Sequence, residues 1–187
     1  MVDFEVDTLS TLISKNKHVK QSLIDILGES SDSDTRLKAG SHLRMIHSSQ
    51  FIVALVVTQY ILSNTRHLSQ ALQKADCDTV KACIDANTFK KVIREQREDN
   101  TFRNLWGKIE ALADYVDVVI AKPRTARRLA RRSIAGEIDD TAMQYFKVNV
   151  FFPFIDHCLM KLDQRFPVDK TDMFLTAKFM PLTKLQQ

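Results

Sequence analysis

Asp156 and His157 stand side by side in the stretch VFFPFIDHCLMKLDQRF, Val150 to Phe166. An aspartate beside a histidine is raw material for general base catalysis or for holding a metal ion. Neighbouring residues on a helix point about 100° apart, however, so the two cannot grip one ion together. Helical metal sites set their ligands three or four residues apart, and the nearest carboxylate downstream, Asp163, misses that spacing. His157 is therefore expected to be structural, capping a neighbouring helix or bonding a buried carbonyl. His42 and His47 are five apart, and Cys77 and Cys83 are six apart, so neither pair fits a common zinc pattern. Cys83 is expected to pack as a small hydrophobe.

No glycine-rich phosphate loop, nucleophile elbow or HExxH pair occurs, and with only 4 Gly none could be built well. Acidic residues are many, yet no spacing singles out a carboxylate dyad. The residues thus imply no catalytic group, no metal, no cofactor and no small-molecule substrate. One segment does carry a signal, PRTARRLARRS. Lys122, Arg124, Arg127, Arg128, Arg131 and Arg132 follow one another without an intervening acid, while the whole chain has a formal net charge of only +4. The basicity belongs to this connector and not to the surface at large. Such a run attracts phosphates with a steep salt dependence, and it holds a backbone without reading bases. It also matches a nuclear-import signal. The bland alternative is a solvated loop with no partner.

The elements around these residues read as helices. With 187 residues, 44% hydrophobic and 27% charged, the chain can bury a real core. Scarce Gly and Pro disfavour the tight turns of a sandwich or barrel. Three cysteines and no charged-then-apolar leader suggest a reducing compartment. The longest apolar run, Phe51–Val57, is far short of the roughly 20 residues that span a bilayer. The expectation is a soluble intracellular chain with no membrane contact.

A first helix is predicted over residues 1–30, capped at Gly28, followed by a polar loop over 29–34 in which Ser33 or Asp34 caps the next. That second helix should run from Thr35 to Ser63, with a short helical bridge over 64–74. Asp76 is a good N-cap for a helix from Cys77 to Arg97, which the triplet at 98–100 breaks. Phe102, Leu105, Trp106, Ile109, Leu112, Ala113, Val116, Val119 and Ile120 trace an apolar stripe stopped by Pro123. A basic connector over 122–138 leads to a last helix beginning near Asp140 or Thr141. Its core face should be Tyr145, Val148, Phe152, Ile155, Leu159, Leu162 and Phe166, with a kink at Pro153. The prediction is an all-α antiparallel bundle of about five or six helices, divided into an N-terminal helix and loop (1–33), a helical domain (34–166) and a tail (167–187).

Two blocks of this sequence resemble the hAT-type DNA transposases and their domesticated relatives, among them the zinc finger MYM-type proteins and the repressors of the protein kinase inhibitor. One is DTRLKAGSHLRMIHSSQFIVALVVTQYILSNTRHLSQALQKADCD, from Asp34. The other runs from Pro123-Arg124 through Asp139-Asp140 and Tyr145 to Phe152-Pro153-Phe154-Ile155-Asp156-His157 and Arg165-Phe166. Together they cover roughly Asp34 to Phe166, in matching order and spacing. The resemblance implies the helical domain inserted into a ribonuclease-H-like catalytic core. The Cys/Asp-x-x-His and Arg-Trp motifs that precede the insertion are missing here, as is the Ser-x-x-Glu-Arg-x-Phe stretch that carries the family's last catalytic acid. The resemblance with these departures implies a non-enzymatic fragment or remnant that contacts DNA through its basic loop, nuclear by resemblance and otherwise cytoplasmic. The alternative is a protein–protein interaction module that binds another chain or itself. A third, weaker reading is a helical enzyme with dispersed acids.

Overall fold

The run Phe51–Leu62 is apolar on nearly all sides, so most of its helix should be covered by others. The computed structural model, which describes residues 2–73, 79–123 and 141–167, places it so. Among the described residues there are seven α-helices and no strand: α1 (Val2–Glu29), α2 (Ser33–Ile46), α3 (Ser49–Leu72), α4 (Thr79–Glu95), α5 (Asp99–Tyr115), α6 (Ala142–Phe146) and α7 (Phe152–Arg165). A π-helical turn, Lys147–Phe151, joins the last two. The protein is an all-α bundle with α3 as its hub. Helices α1, α4 and α5 pack on α3, α2 lies along α1, and α7 closes on α4. Ile52, Val53, Val57 and Ile61 of α3 are almost wholly removed from water. Each such side chain contributes about 1.5–3 kcal/mol by burial. Helix α1 belongs to this bundle, because Val6 is buried and Leu9, Leu12 and Ile13 pack on the core.

The second predicted helix is two. A break at His47-Ser48 bends α2 from α3 by 65°. The cause is local: the Ser48 hydroxyl accepts from the Phe51 amide and donates to the Met45 carbonyl, ending one helix and capping the next. Helix α3 then absorbs most of the predicted bridge. The loop before α2 is also shorter than expected, and its cap is Asp32, not Ser33 or Asp34. The Asp32 carboxylate accepts from the Thr35 amide at 2.9 Å, and its bonds to Thr35 hold its pKa below the usual aspartate value. Gly28 lies inside α1 and no glycine among the described residues takes a positive φ, so it is not a left-handed cap. Asp76 lies outside the described residues.

Helix α5 buries Phe102, Leu105, Trp106, Ile109, Leu112 and Ala113 as its stripe predicts. It stops at Tyr115, well before Pro123. Asp117 adopts φ 57°, the left-handed region that non-glycine residues rarely enter. The Val118 amide then reaches back to the Ala113 carbonyl at 2.8 Å and the Asp117 amide to that of Asp114 at 3.3 Å. This is a Schellman ending with aspartate in the position glycine usually takes. Past it the chain is no longer helical, and Val119, expected in the core, is 86% exposed.

The last helix is one rod with a fault in it. Thr141 caps it by accepting from the Gln144 amide at 3.2 Å. Pro153 has no amide hydrogen to give, and the turn before it widens to π geometry, with the Phe152 amide bonded to the Lys147 carbonyl five residues back. The extra residue rotates the apolar face. Phe146, Phe151 and Ile155 are fully buried, whereas Val148 is exposed and Tyr145 and Phe152 are only partly covered. The predicted core face thus holds at Tyr145, Phe152, Ile155, Leu159, Leu162 and Phe166, which are buried or packed on the core, and fails at Val148.

Candidate functional site

The Asp156-His157 pair is built from α7 and the end of α4. Arg97, just past α4, donates from Nε to Asp156 Oδ1 at 2.7 Å and from its terminal nitrogen to Oδ2 at 3.1 Å. Its guanidinium also lies 4.4 Å from the centre of the Phe152 ring. Phe152 and Asp156 are one turn apart on the same side of the rod, so a single arginine stacks on one and forks onto the other. The pairing holds the Arg97 pKa up. Both carboxylate oxygens of Asp156 are therefore engaged in fastening α7 to the α4–α5 joint. His157 is exposed and makes no hydrogen bond among the described residues, so the expected helix cap or carbonyl contact is not formed there. Among the described residues no three His, Cys, Asp or Glu side chains converge where they could hold a metal ion.

Two buried lysines, neither singled out by the sequence pattern, serve the same rod. Lys147 of the π turn, 9% exposed, pairs with Asp99 in the first turn of α5 at 2.8 Å. Lys90 of α4, 4% exposed, pairs with Asp163 at 2.9 Å and donates to the Phe166 carbonyl at the end of α7. The α5 and α6–α7 rods also meet through stacked aromatics, with Phe102 against Phe151 at 5.0 Å and Trp106 against Phe146 at 6.3 Å. Lys90 was legible in principle, since it follows Phe89 in the stripe Ala86, Phe89, Ile93; a cation on an apolar face signals a paired one. Cys83 is buried as expected, and burial pushes the Cys158 thiol up, which makes it a poor nucleophile near neutral pH.

Of the basic segment, Lys122 lies on the described chain, half-buried beyond the end of α5. Arg124, Arg127, Arg128, Arg131 and Arg132 lie outside the described residues, as does most of the tail over 167–187. The two anchors of the segment are placed. On one side, Ser49 of α3 donates to the Val119 carbonyl at 3.1 Å and accepts from the Ala121 amide at 3.0 Å. Lys20 of α1 donates to the Val116 carbonyl and to Asp117, both at 3.3 Å. On the other side stands the Thr141 cap. Ile120 and Thr141 line one open cleft of about 750 Å³, together with Val119, Met143, Glu110 and Asp114. Glu110 is already the acceptor of the Trp106 indole N–H at 2.6 Å, so these two acids are not a free dyad.

No single helix among the described residues is long and apolar enough to cross a membrane; α2 with the first part of α3 passes that test only when the bent pair is joined. Compared with protein families, with curated proteins and with solved structures, the chain finds no match in any of the three.

Proposed function

We propose that this chain is the helical, non-catalytic part of a hAT-type transposase-derived protein, and that Lys122, Arg124, Arg127, Arg128, Arg131 and Arg132 hold nucleic-acid phosphates. The observation that carries the reading is the use made of the family-like residues. Phe152, Ile155 and Asp156 of the resembling block go into packing and clamping α7, so the charge a ligand would meet is concentrated in the basic segment. What supports this is the placing of its flanks: Val119 and Ala121 are bonded to Ser49, and Val119, Ile120 and Thr141 line one cleft. Nuclear residence follows from the same run of cations. A duplex carrying photo-reactive nucleotides tests the reading: cross-linked peptides should come from residues 122–132, and peptides from elsewhere, or none, would refute it.

A second reading, a module that binds another protein chain or itself, is favoured by Leu37 and Met45 of α2 and by Val119, which are 67%, 51% and 86% exposed. Concentration-dependent mass in sedimentation would support it, and a strict monomer would count against it.

A further inference from the structure

The corner where α1, the α2–α3 joint and the exit from α5 meet holds groups that the fold leaves without partners. The Nε2 atom of His47 is buried and has no hydrogen-bond partner among the described residues. Both polar side-chain atoms of Asn16, one turn before Lys20 on α1, are in the same state. Buried polar atoms without partners are rare and ask for a reason. The charged groups that act on the His47 ring are Lys20 from α1 and Asp117 from the α5 exit. The Ser49 hydroxyl at the start of α3 is occupied by Val119 and Ala121, and Arg44 of α2 donates to Ser41 at 3.2 Å.

A neutral imidazole tolerates this setting. An imidazolium does not, because its Nε2–H would face no acceptor and its charge would sit near the Lys20 ammonium. The carboxylate that acts on it, Asp117, is already held by Lys20 at 3.3 Å. We propose that this corner is an acid-released latch: protonation of His47 displaces Lys20 from Asp117 and the Val116 carbonyl and loosens residues 116–121, which lead into the basic segment. Burial first and Lys20 second lower the His47 pKa, against the opposing pull of Asp117. The folded state therefore binds this proton less readily than the unfolded chain does. The stability owed to the neutral ring is present above the ordinary histidine range and is lost as pH falls through the folded pKa. The latch stands whether or not the basic segment binds nucleic acid.

Hydrogen exchange on the full chain tests it, read as protection factors near pH 7.5 and near pH 5.5, either side of the ordinary histidine pKa of about 6.5. The reporters are the bonded amides of Val116, Val118 and Ala121, with Ile93 and Ile155 as controls. Acid should lower protection at the three reporters by about tenfold, the order set by one hydrogen bond to a charged group, and leave the controls unchanged. His47→Gln should abolish that response. Lys20→Met should show the loosened reporters at both pH values, and it decides the matter if His47→Gln does not fold. An equal acid response in His47→Gln, no response in the wild type, tight reporters in Lys20→Met or a uniform loss that includes the controls would each overturn the latch.

Discussion

Phe151 and Phe152 are chemically identical neighbours, yet the rod fully buries only one of them. Phe151 lies four residues before Ile155 on one helical face, and the π turn brings Phe146, five residues further back, onto that face as well, while Phe152 is left at its edge. Phe151 has no solvent exposure and stacks on Phe102 at 5.0 Å. Phe151→Ala should therefore cost about 3–5 kcal/mol, the transfer energy of the ring plus the cavity left behind. Phe152 is half-covered, so Phe152→Ala forfeits about half of a full burial energy of about 1.5–3 kcal/mol, or roughly 1 kcal/mol. The exposed guanidinium of Arg97 over its ring adds only a minor part, since water screens it. The gap between the two variants is at least about 2 kcal/mol, a factor of about 30 in the folding equilibrium. Urea denaturation followed by far-ultraviolet circular dichroism reads it directly, provided the slope with denaturant is unchanged. Equal losses, or a larger loss in Phe152→Ala, would mean that the face assigned to the core is mistaken.

The neighbouring contacts set further outcomes. Lys90→Ala should cost about 2 kcal/mol by denaturation, because it strips a charged donor from Asp163 and the Phe166 carbonyl; Asp163→Asn should cost less, since the lysine keeps that carbonyl. Ser48→Ala should cost about 1 kcal/mol through the lost cap on α3, whereas Ser49→Ala should mainly speed amide exchange at Ala121. In a Cys77→Ser background, Cys158 should react slowly with a disulfide reagent at neutral pH and faster as pH rises towards its raised pKa. A rate for Cys158 matching an exposed thiol at neutral pH would contradict its burial.

Much of the fold was legible because helical periodicity reports burial directly. The α5 stripe from Phe102 to Ala113 and the continuous apolar run of α3 both appear where the pattern puts them. What escaped was decided by single local bonds. The Ser48 hydroxyl splits a stretch that reads as one helix from Thr35 to Ser63, and no proline or glycine stands at the break. Asp117 ends α5 in a conformation usually left to glycine, helped by a lysine 97 residues away, and such a long-range contact has no signature in a window of sequence. The π turn inserts one residue into the heptad, so the phase read backwards from Ile155 fails beyond it, at Val148. Asp156 was readable as part of a packing helix, but the arginine that occupies it lies 59 residues upstream and carries no local mark.

The central claim, that the basic segment holds phosphates, is tested most directly by fluorescence anisotropy of a labelled duplex titrated with the full chain over a range of salt. If the six cations engage six phosphates, log affinity should fall against log salt with a slope near about −5, since each contact contributes about −0.9. Changing Arg127, Arg128, Arg131 and Arg132 to alanine should reduce that slope to about −2 and weaken binding on any sequence alike. A wild-type chain that fails to bind at low salt, or a variant that keeps the full slope, would contradict the account.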